Sequence, residues 1–129
     1  DKAYNVTTDL INSGTEFNYI FANNDMMAQG CYNALKDAGK ENIPIVSTGG
    51  SPDGFKMLQD GIEAANMTAP VSIQGVKTFM NLYNKVALGE DPAEKFTALP
   101  VIPVSADDTS SYIAWDDYAA AYKYLGENK

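Results

Sequence analysis

The chain has 129 residues, 45% of them apolar and 20% charged, the size and balance of one globular domain able to bury a core. Seventeen acidic against nine basic residues give a net charge of −8, and every basic residue is Lys. That balance disfavours nucleic acid, anionic membrane surfaces and anionic substrates, all of which are gripped by basic patches or Arg forks. His is absent and Cys31 is the single cysteine, which excludes imidazole triads, His-based metal sites, internal disulfides and thiolate clusters within the chain.

No run approaches the ~18 consecutive apolar residues of a membrane span. The first residues, Asp1-Lys2-Ala3-Tyr4, have no initiator Met and no signal-peptide pattern; they read as a cut end with sequence upstream. Residues 7–13 then read as the last turns of a helix ending at Gly14. Residues 18–22, Asn-Tyr-Ile-Phe-Ala, form a short apolar run suited to a buried strand. From Asp25 to Ala38 the apolar positions Met27, Cys31, Ala34, Leu35 and Ala38 recur at helical spacing, with Gly39 at the C-cap position. Cys31 on that stripe reads as a core filler.

Residues 43–47 are the next strand, with Pro44 at its end. Thr48-Gly49-Gly50 reads as a turn of small residues, and Ser51-Pro52 as the N-cap and first position of a helix that Gly61 closes. Residues 62–68 read as a third strand, poor in β-branched residues. Residues 71–88 read as a long amphipathic helix closed by Gly89. Residues 99–104 are a fourth strand whose two prolines place it at an edge or a crossover. Residues 115–125 are a final helix rich in Ala and Tyr. The order β-α-β-α-β-α-β-α after a helical remnant predicts an α/β fold: a mostly parallel sheet flanked by helices.

In such a sheet, ligands bind beyond the C-terminal ends of the strands. Three strand-to-helix loops qualify: Asn23-Asn24-Asp25, Thr48-Gly49-Gly50-Ser51 and Met67-Thr68-Ala69. Their small and amide residues suit a neutral polar ligand and supply no nucleophile–base pair. Each also has a purely structural explanation: Asn24 or Asp25 as a helix cap, the Gly doublet as a tight turn, Thr68 as a strand end. Gly49-Gly50 fits no phosphate loop. Ser13, Ser47, Ser51 and Ser72 lack a base. Asp107-Asp108 and Asp116-Asp117 lack calcium-loop spacing and read as a solvated acidic face. Trp115 with Tyr112, Tyr118, Tyr122 and Tyr124 reads as packing rather than as a sugar-stacking platform.

The stretch from Phe17 to Gly30, with Asn23-Asn24-Asp25-Met26-Met27-Ala28-Gln29-Gly30, resembles the strand–NDxxAxG–helix signature of type I periplasmic binding proteins. Ala34-Leu35-Lys36-Asp37-Ala38-Gly39-Lys40 is similar to their ALKxAGK helix end. Ser51-Pro52-Asp53-Gly54, Asp60-Gly61, Pro70, Gly75 and the helix end at residues 85–89 continue the likeness, which covers about residues 16–104. The resemblance implies the C-terminal part of a ribose- or galactose-binding-like solute-binding protein of an ABC transporter, with a sugar clamped between two lobes. Residues 1–69 and 98–129 would then belong to the C-terminal lobe, and the helix within residues 70–97 would pack with the N-terminal lobe.

The resemblance also implies the ligand-binding residues. Asn24, with Asn23 beside it, matches a sugar-contacting amide. Gly49, next to Gly50, stands where the family commonly has an Asp, and Thr68 near the hinge stands where it often has Gln or Asn. Two of these three matched positions, Gly49 and Thr68, depart from the pattern; Asn23, Ser51 or Asp53 would be the residues to take over the lost contact. The expected function is extracytoplasmic binding of a small neutral polar ligand, a sugar, by hinge closure, without catalysis, cofactor or metal. The expected partners are the sugar and an ABC permease, with no nucleic acid in this chain and with homodimerisation of so short a chain as a further expectation. The implied location is periplasmic or extracellular, with or without a lipid anchor. The alternative is the effector-binding core of a lactose-repressor-like regulator or of a sensor input domain. A small flavodoxin-like enzyme is disfavoured by the absent His, phosphate loop and paired catalytic carboxylates.

Overall fold

Ala3, Thr7 and Ile11 recur every fourth residue and line one face of the first helix, α1 (Lys2–Asn12). The computed structural model, which describes residues 2–92 and 94–127, places that face against α2 (Asp25–Asp37). The helix therefore begins at Lys2, earlier than the apolar pair Leu10-Ile11 alone suggests. Thr7 is buried and its hydroxyl donates to the Cys31 sulfur at 3.3 Å, so Cys31 is a core residue.

The strands are β1 (Ile20–Phe21), β2 (Ile45–Gly49), β3 (Glu63–Thr68) and β4 (Ile102–Ser105), in that spatial order. β1, β2 and β3 run parallel, and β4 pairs antiparallel with β3 at the far edge. Pro103 accordingly sits on an edge strand, where its missing N–H removes no ladder bond from the interior. β2 lies two residues further along than the sequence suggests: Pro44 stays outside it, while Thr48 and Gly49 belong to the strand. β3 ends at Thr68, where the strand expected over residues 62–68 also ends, so Met67 and Thr68 are strand rather than loop. The polar turns after β2 and β3 are therefore tighter than their composition implies.

Ser51 caps α3 (Pro52–Gln59), its hydroxyl accepting from the Gly54 amide at 3.1 Å. α4 (Val71–Tyr83) loosens to i→i+5 winding over Asn84–Leu88 and stops at Gly89. α5 (Tyr118–Glu127) starts behind Asp117, whose carboxylate accepts from the Ala120 amide at 2.8 Å.

Two apolar clusters flank the sheet. Ala22, Ala28, Cys31, Leu35, Ile45 and Met57 form one; Leu58, Ile73, Ile102, Val104, Ile113 and Ala121 form the other. Ile73 and Val76 thus tie the first half of α4 to β4 and α5. Phe79, Leu82, Tyr83, Val86 and Leu88 further along it remain exposed. No helix among the described residues is long and apolar enough to cross a membrane.

One irregularity matters for the site. Ile45 pairs with Glu63 but Val46 pairs with Ala65, so Ala64 is an extra residue in β3. Neighbouring side chains on a strand alternate faces, and a bulge resets that alternation. Glu63 and Asn66, an odd number of residues apart, therefore both point inward, as their complete burial requires.

Candidate functional site

The C-terminal ends of the three parallel strands converge on the loops singled out in the sequence. The Thr48 hydroxyl donates to the Asn23 carbonyl at 2.9 Å, and the Ala69 amide donates to the Gly49 carbonyl at 2.9 Å. These two bonds tie the loop after β1 to β2, and the turn after β3 to β2.

The individual residues differ in what they offer. Asn24 is exposed and caps α2, its Oδ1 accepting from the Met27 amide at 2.9 Å. That bond occupies only the carbonyl end; the two N–H groups of Nδ2 remain directed to other uses. Asn23 is exposed beside it. Gly49 and Gly50 have φ of +132° and +72°, backbone that favours glycine. A Cβ on Gly49 would lie 2.8 Å from the Asp25 Oδ2, and one on Gly50 would lie 2.6 Å from the Thr68 Cβ. Both positions thus present backbone alone. Thr68 is fully buried and its hydroxyl donates to the Ile102 carbonyl at 2.8 Å. It stands behind Gly50 as the wall against which that glycine packs.

Beneath this surface lies a group of polar side chains that composition and spacing did not reveal. Asp25, the first residue of α2, is buried rather than solvated. Its Oδ2 accepts from the Ser51 amide at 2.7 Å, and its Oδ1 accepts from the Gly50 amide at 3.4 Å, Asn66 Nδ2 at 2.7 Å and Ser47 Oγ at 3.2 Å. Glu63, Ser47 and Asn66 complete the group: Ser47 Oγ lies 2.9 Å from Glu63 Oε1, and Asn66 Nδ2 lies 2.9 Å from Glu63 Oε2 and 2.8 Å from Ser47 Oγ. The Asn66 Oδ1 is buried without a partner. Burial pushes the Glu63 carboxyl above the usual carboxylate range, and Asp25 adds to that push; the hydrogen bonds from Asn66 and Ser47 oppose it. The one signal in the sequence was the pair Glu63 and Asn66 inside a central strand, where a charge and an amide need partners.

Tyr112 closes the group from the side. Its hydroxyl donates to the Gly50 carbonyl at 3.1 Å and its ring stacks on Phe55, centroids 3.8 Å apart at 3°. Burial raises the Tyr112 hydroxyl's pKa, with Asp25 and Asp116 adding to the effect. Among the other aromatics, Tyr118 and Tyr122 are exposed and line an apolar groove with Phe79, while the Trp115 Nε1 is buried with no partner. The acidic pairs Asp107-Asp108 and Asp116-Asp117 are exposed, and no group of three metal-ligating side chains occurs among the described residues. A groove of about 540 Å³ runs along the open edge of β1 between α1 and α2 and meets the strand-end loops at Asn23.

Comparison with known proteins agrees with this architecture. Residues 1–91 match the family described as periplasmic binding protein domain. The ribose import binding protein of Escherichia coli is 35% identical over 98 residues, covering 74% of this chain and 32% of that protein. The chain spans about a third of the length of the curated relatives it matches over most of its own length. Among solved structures, an ABC transporter solute-binding protein from Agrobacterium vitis with bound D-fucose superposes with a TM-score of 0.70 at 26% identity, over 84% of this chain and 37% of that one. A periplasmic solute-binding protein from Actinobacillus succinogenes with bound D-allose shares the fold, with a TM-score of 0.75 at 22% identity, over 86% and 38% of the two chains. The parallel strand ends, the capped loops between them and the family match over residues 1–91 lead to one conclusion: this chain belongs to the periplasmic binding protein family.

Proposed function

We propose that the chain supplies one wall of a sugar-binding cleft in a solute-binding protein of an ABC importer. The observation that carries this reading is the convergence of Asn23, Asn24 and the Gly49-Gly50 backbone at the C-terminal ends of parallel strands, in a chain of this family. The groups on offer are neutral: the free Nδ2 of Asn24, the side chain of Asn23, and main chain at Gly49 and Gly50. Such a set suits hydroxyl groups, each of which both donates and accepts. Relatives whose names or bound ligands are ribose, D-allose and D-fucose support a sugar over an amino acid or a nucleoside.

In this reading Thr68 acts through Gly50, holding the turn that ends at the hinge. Residues 1–69 and 98–129 belong to one lobe, the first half of α4 packs on it through Ile73 and Val76, and the rest of residues 70–97 reaches toward the other, with the exposed stripe Phe79, Leu82 and Val86 available to meet it. Ligand stabilises the closed arrangement because it touches both walls at once. The protein binds and releases its ligand unchanged, outside the cytoplasm, and passes it to a permease.

The test is a thermal-shift and calorimetric titration of the chain, and of the longest product of its reading frame, with D-ribose, D-allose, D-fucose, myo-inositol and xylitol. Amino acids and nucleosides form the counter-panel. A ligand at a hundred times its Kd stabilises the folded state by about 2.7 kcal/mol, a shift of several degrees. A response to the counter-panel with none to any sugar overturns the assignment.

A further inference from the structure

The buried group under the Gly49-Gly50 turn has more acceptor sites than donors to fill them. Asn66 Nδ2 brings two hydrogens and the Ser47 hydroxyl one, yet five short contacts join these two residues with each other and with the Asp25 and Glu63 carboxyls. Turning the Asn66 amide over would set its carbonyl oxygen 2.7 Å from the Asp25 Oδ1 and worsen the deficit. Among the described residues, the ion pairs lie elsewhere, at Lys56–Asp60, Lys85–Asp91 and Lys123–Glu127, all exposed. One further proton within the group gives four of the five contacts a hydrogen of their own and leaves the Asn66–Ser47 contact to share one of the Asn66 hydrogens.

We infer that Glu63 stands as the neutral acid and donates through Ser47 to the Asp25 carboxylate, and that Asp25, so held, is the positioning residue that fixes the Gly50 and Ser51 amides of the candidate sugar-binding turn. The direction follows from the contacts. Four donors converge on Asp25, two of them backbone amides that cannot turn away, so the negative charge is best placed there. Glu63 is fully enclosed and its carboxyl bonds to the side chains of Ser47 and Asn66, with no backbone amide on it among the described residues, so it is the carboxyl that burial most favours uncharged. With the proton on Oε1, Glu63 donates to Ser47 at 2.9 Å, Ser47 donates to Asp25, and Asn66 divides its two hydrogens between Asp25 and Glu63 Oε2. The turn is then clamped from beneath by Asp25 and from the side by the Tyr112 hydroxyl on the Gly50 carbonyl.

Ionising Glu63 would set a second negative charge beside Asp25 and remove the donor to Ser47. Of the charged groups on neighbouring elements, Asp25 is the one whose field reaches Glu63. Lys56 and Asp60 on α3 are exposed and paired with each other, Asp53 is exposed at the start of that helix, and Glu41 and Asp107 are exposed in the loops near the start of β3. A carboxyl raised on folding contributes stability that is complete below its unfolded value and is lost as pH rises through its folded value. The clamp therefore loosens on the alkaline side of the ordinary carboxylate range.

The positional role rests on the binding reading, but the proton relay is read on the protein alone. In the chain labelled with ¹³C at glutamate side chains, the Glu63 carboxyl resonance, assigned by its loss in Glu63→Gln, should keep the neutral-acid position after the other glutamates have ionised. The Ser51 amide proton should shift at the same pH as that carbon. Glu63→Gln, whose amide can donate to Ser47 in the acid's place, should keep the wild-type Tm and Ser51 shift and lose the alkaline transition; Glu63→Ala should lower Tm at every pH. A Glu63 carbon that titrates with the other glutamates, or a Ser51 amide that ignores it, overturns the inference; should Glu63→Gln fail to fold, wild-type glutamate carbons that all titrate together overturn it without any assignment. Sugar titration of Glu63→Gln then separates the two claims. Wild type that binds no sugar refutes the function and leaves the relay standing; wild type that binds, with a titrating Glu63 carbon but affinity unaffected by Glu63→Ala, refutes the positioning role.

Discussion

Gly54 lies within a helix, and replacing a helical glycine with alanine ordinarily adds up to about 1 kcal/mol of stability. Here the same change should do the opposite. A Cβ on Gly54 would lie 2.4 Å from the Asp25 Cγ and 2.5 Å from its Oδ1, so the carboxylate must retreat. It has nowhere to go, because Gly49 faces it from the other side with room for no more than a hydrogen. Displacement breaks at least one charge-assisted bond at 2.7 Å, to the Ser51 amide or to Asn66, at a cost of about 1.5–3 kcal/mol. Overpacking adds about 1 kcal/mol or more. After the propensity gain is set against these losses, Gly54→Ala should be less stable than wild type by about 2–3 kcal/mol, or about 8–12 °C in Tm for a chain of this size. Gly75→Ala in α4 is the matched control: its Cβ would meet Tyr118 at 3.9 Å, an ordinary contact, so that variant should gain about 0.5–1 kcal/mol. Urea denaturation of the two variants decides the matter. A Gly54→Ala variant as stable as wild type, or both variants moving together, would falsify the claim that Asp25 is wedged between two glycines.

Asn24 offers a separation of its two ends. Asn24→Asp keeps the oxygen that caps α2 and removes the Nδ2 donors, so stability should hold within about 0.5 kcal/mol while sugar affinity falls by about 1–3 kcal/mol; Asn24→Ala should lose affinity and about 1 kcal/mol of stability together. Equal affinity for wild type and Asn24→Asp would confine the side chain to capping. Thr68→Val should cost about 0.5–1.5 kcal/mol, because it deletes the hydroxyl's bond to an Ile102 carbonyl that keeps its strand-pairing partner, and an unchanged urea midpoint would count against that bond. Tyr112→Phe keeps the stack on Phe55 and deletes the bond to Gly50, so a loss of about 1 kcal/mol should appear with faster hydrogen exchange at Gly50 and Ser51; unchanged exchange would remove Tyr112 from the clamp.

The alternation of strands and helices was readable from periodicity because the helices after the strands carry buried apolar stripes: Cys31, Ala34 and Leu35 in α2, Met57 and Leu58 in α3, Ile73 and Val76 in α4. The Ser51-Pro52 start of α3 was readable from local chemistry alone. Boundaries moved where tertiary pairing overrides local preference, as in β2, which runs through Thr48 and Gly49 because β3 supplies partners out to Thr68. The loops at the strand ends were legible as positions. What lies under them was not, since Asp25, Ser47, Glu63 and Asn66 are scattered along the chain and look like surface residues one at a time. Asp25 in particular reads as a helix-start acid, yet its neighbour Asn24 takes the capping bond and leaves Asp25 to turn inward.

The extra residue in β3 makes this region far more sensitive to chain length than to chemistry. Ala64 is exposed, and its carbonyl receives the Ala106 amide at 3.0 Å through backbone atoms that every side chain leaves in place. Substitutions there should pass almost unnoticed. Deleting Ala64 would restore regular pleating and carry either Glu63 or Asn66 to the opposite face of the sheet, dismantling the buried group without altering any of its members. Homologues that keep the group should therefore vary freely in identity at this position and hardly at all in the number of residues between the glutamate and the asparagine.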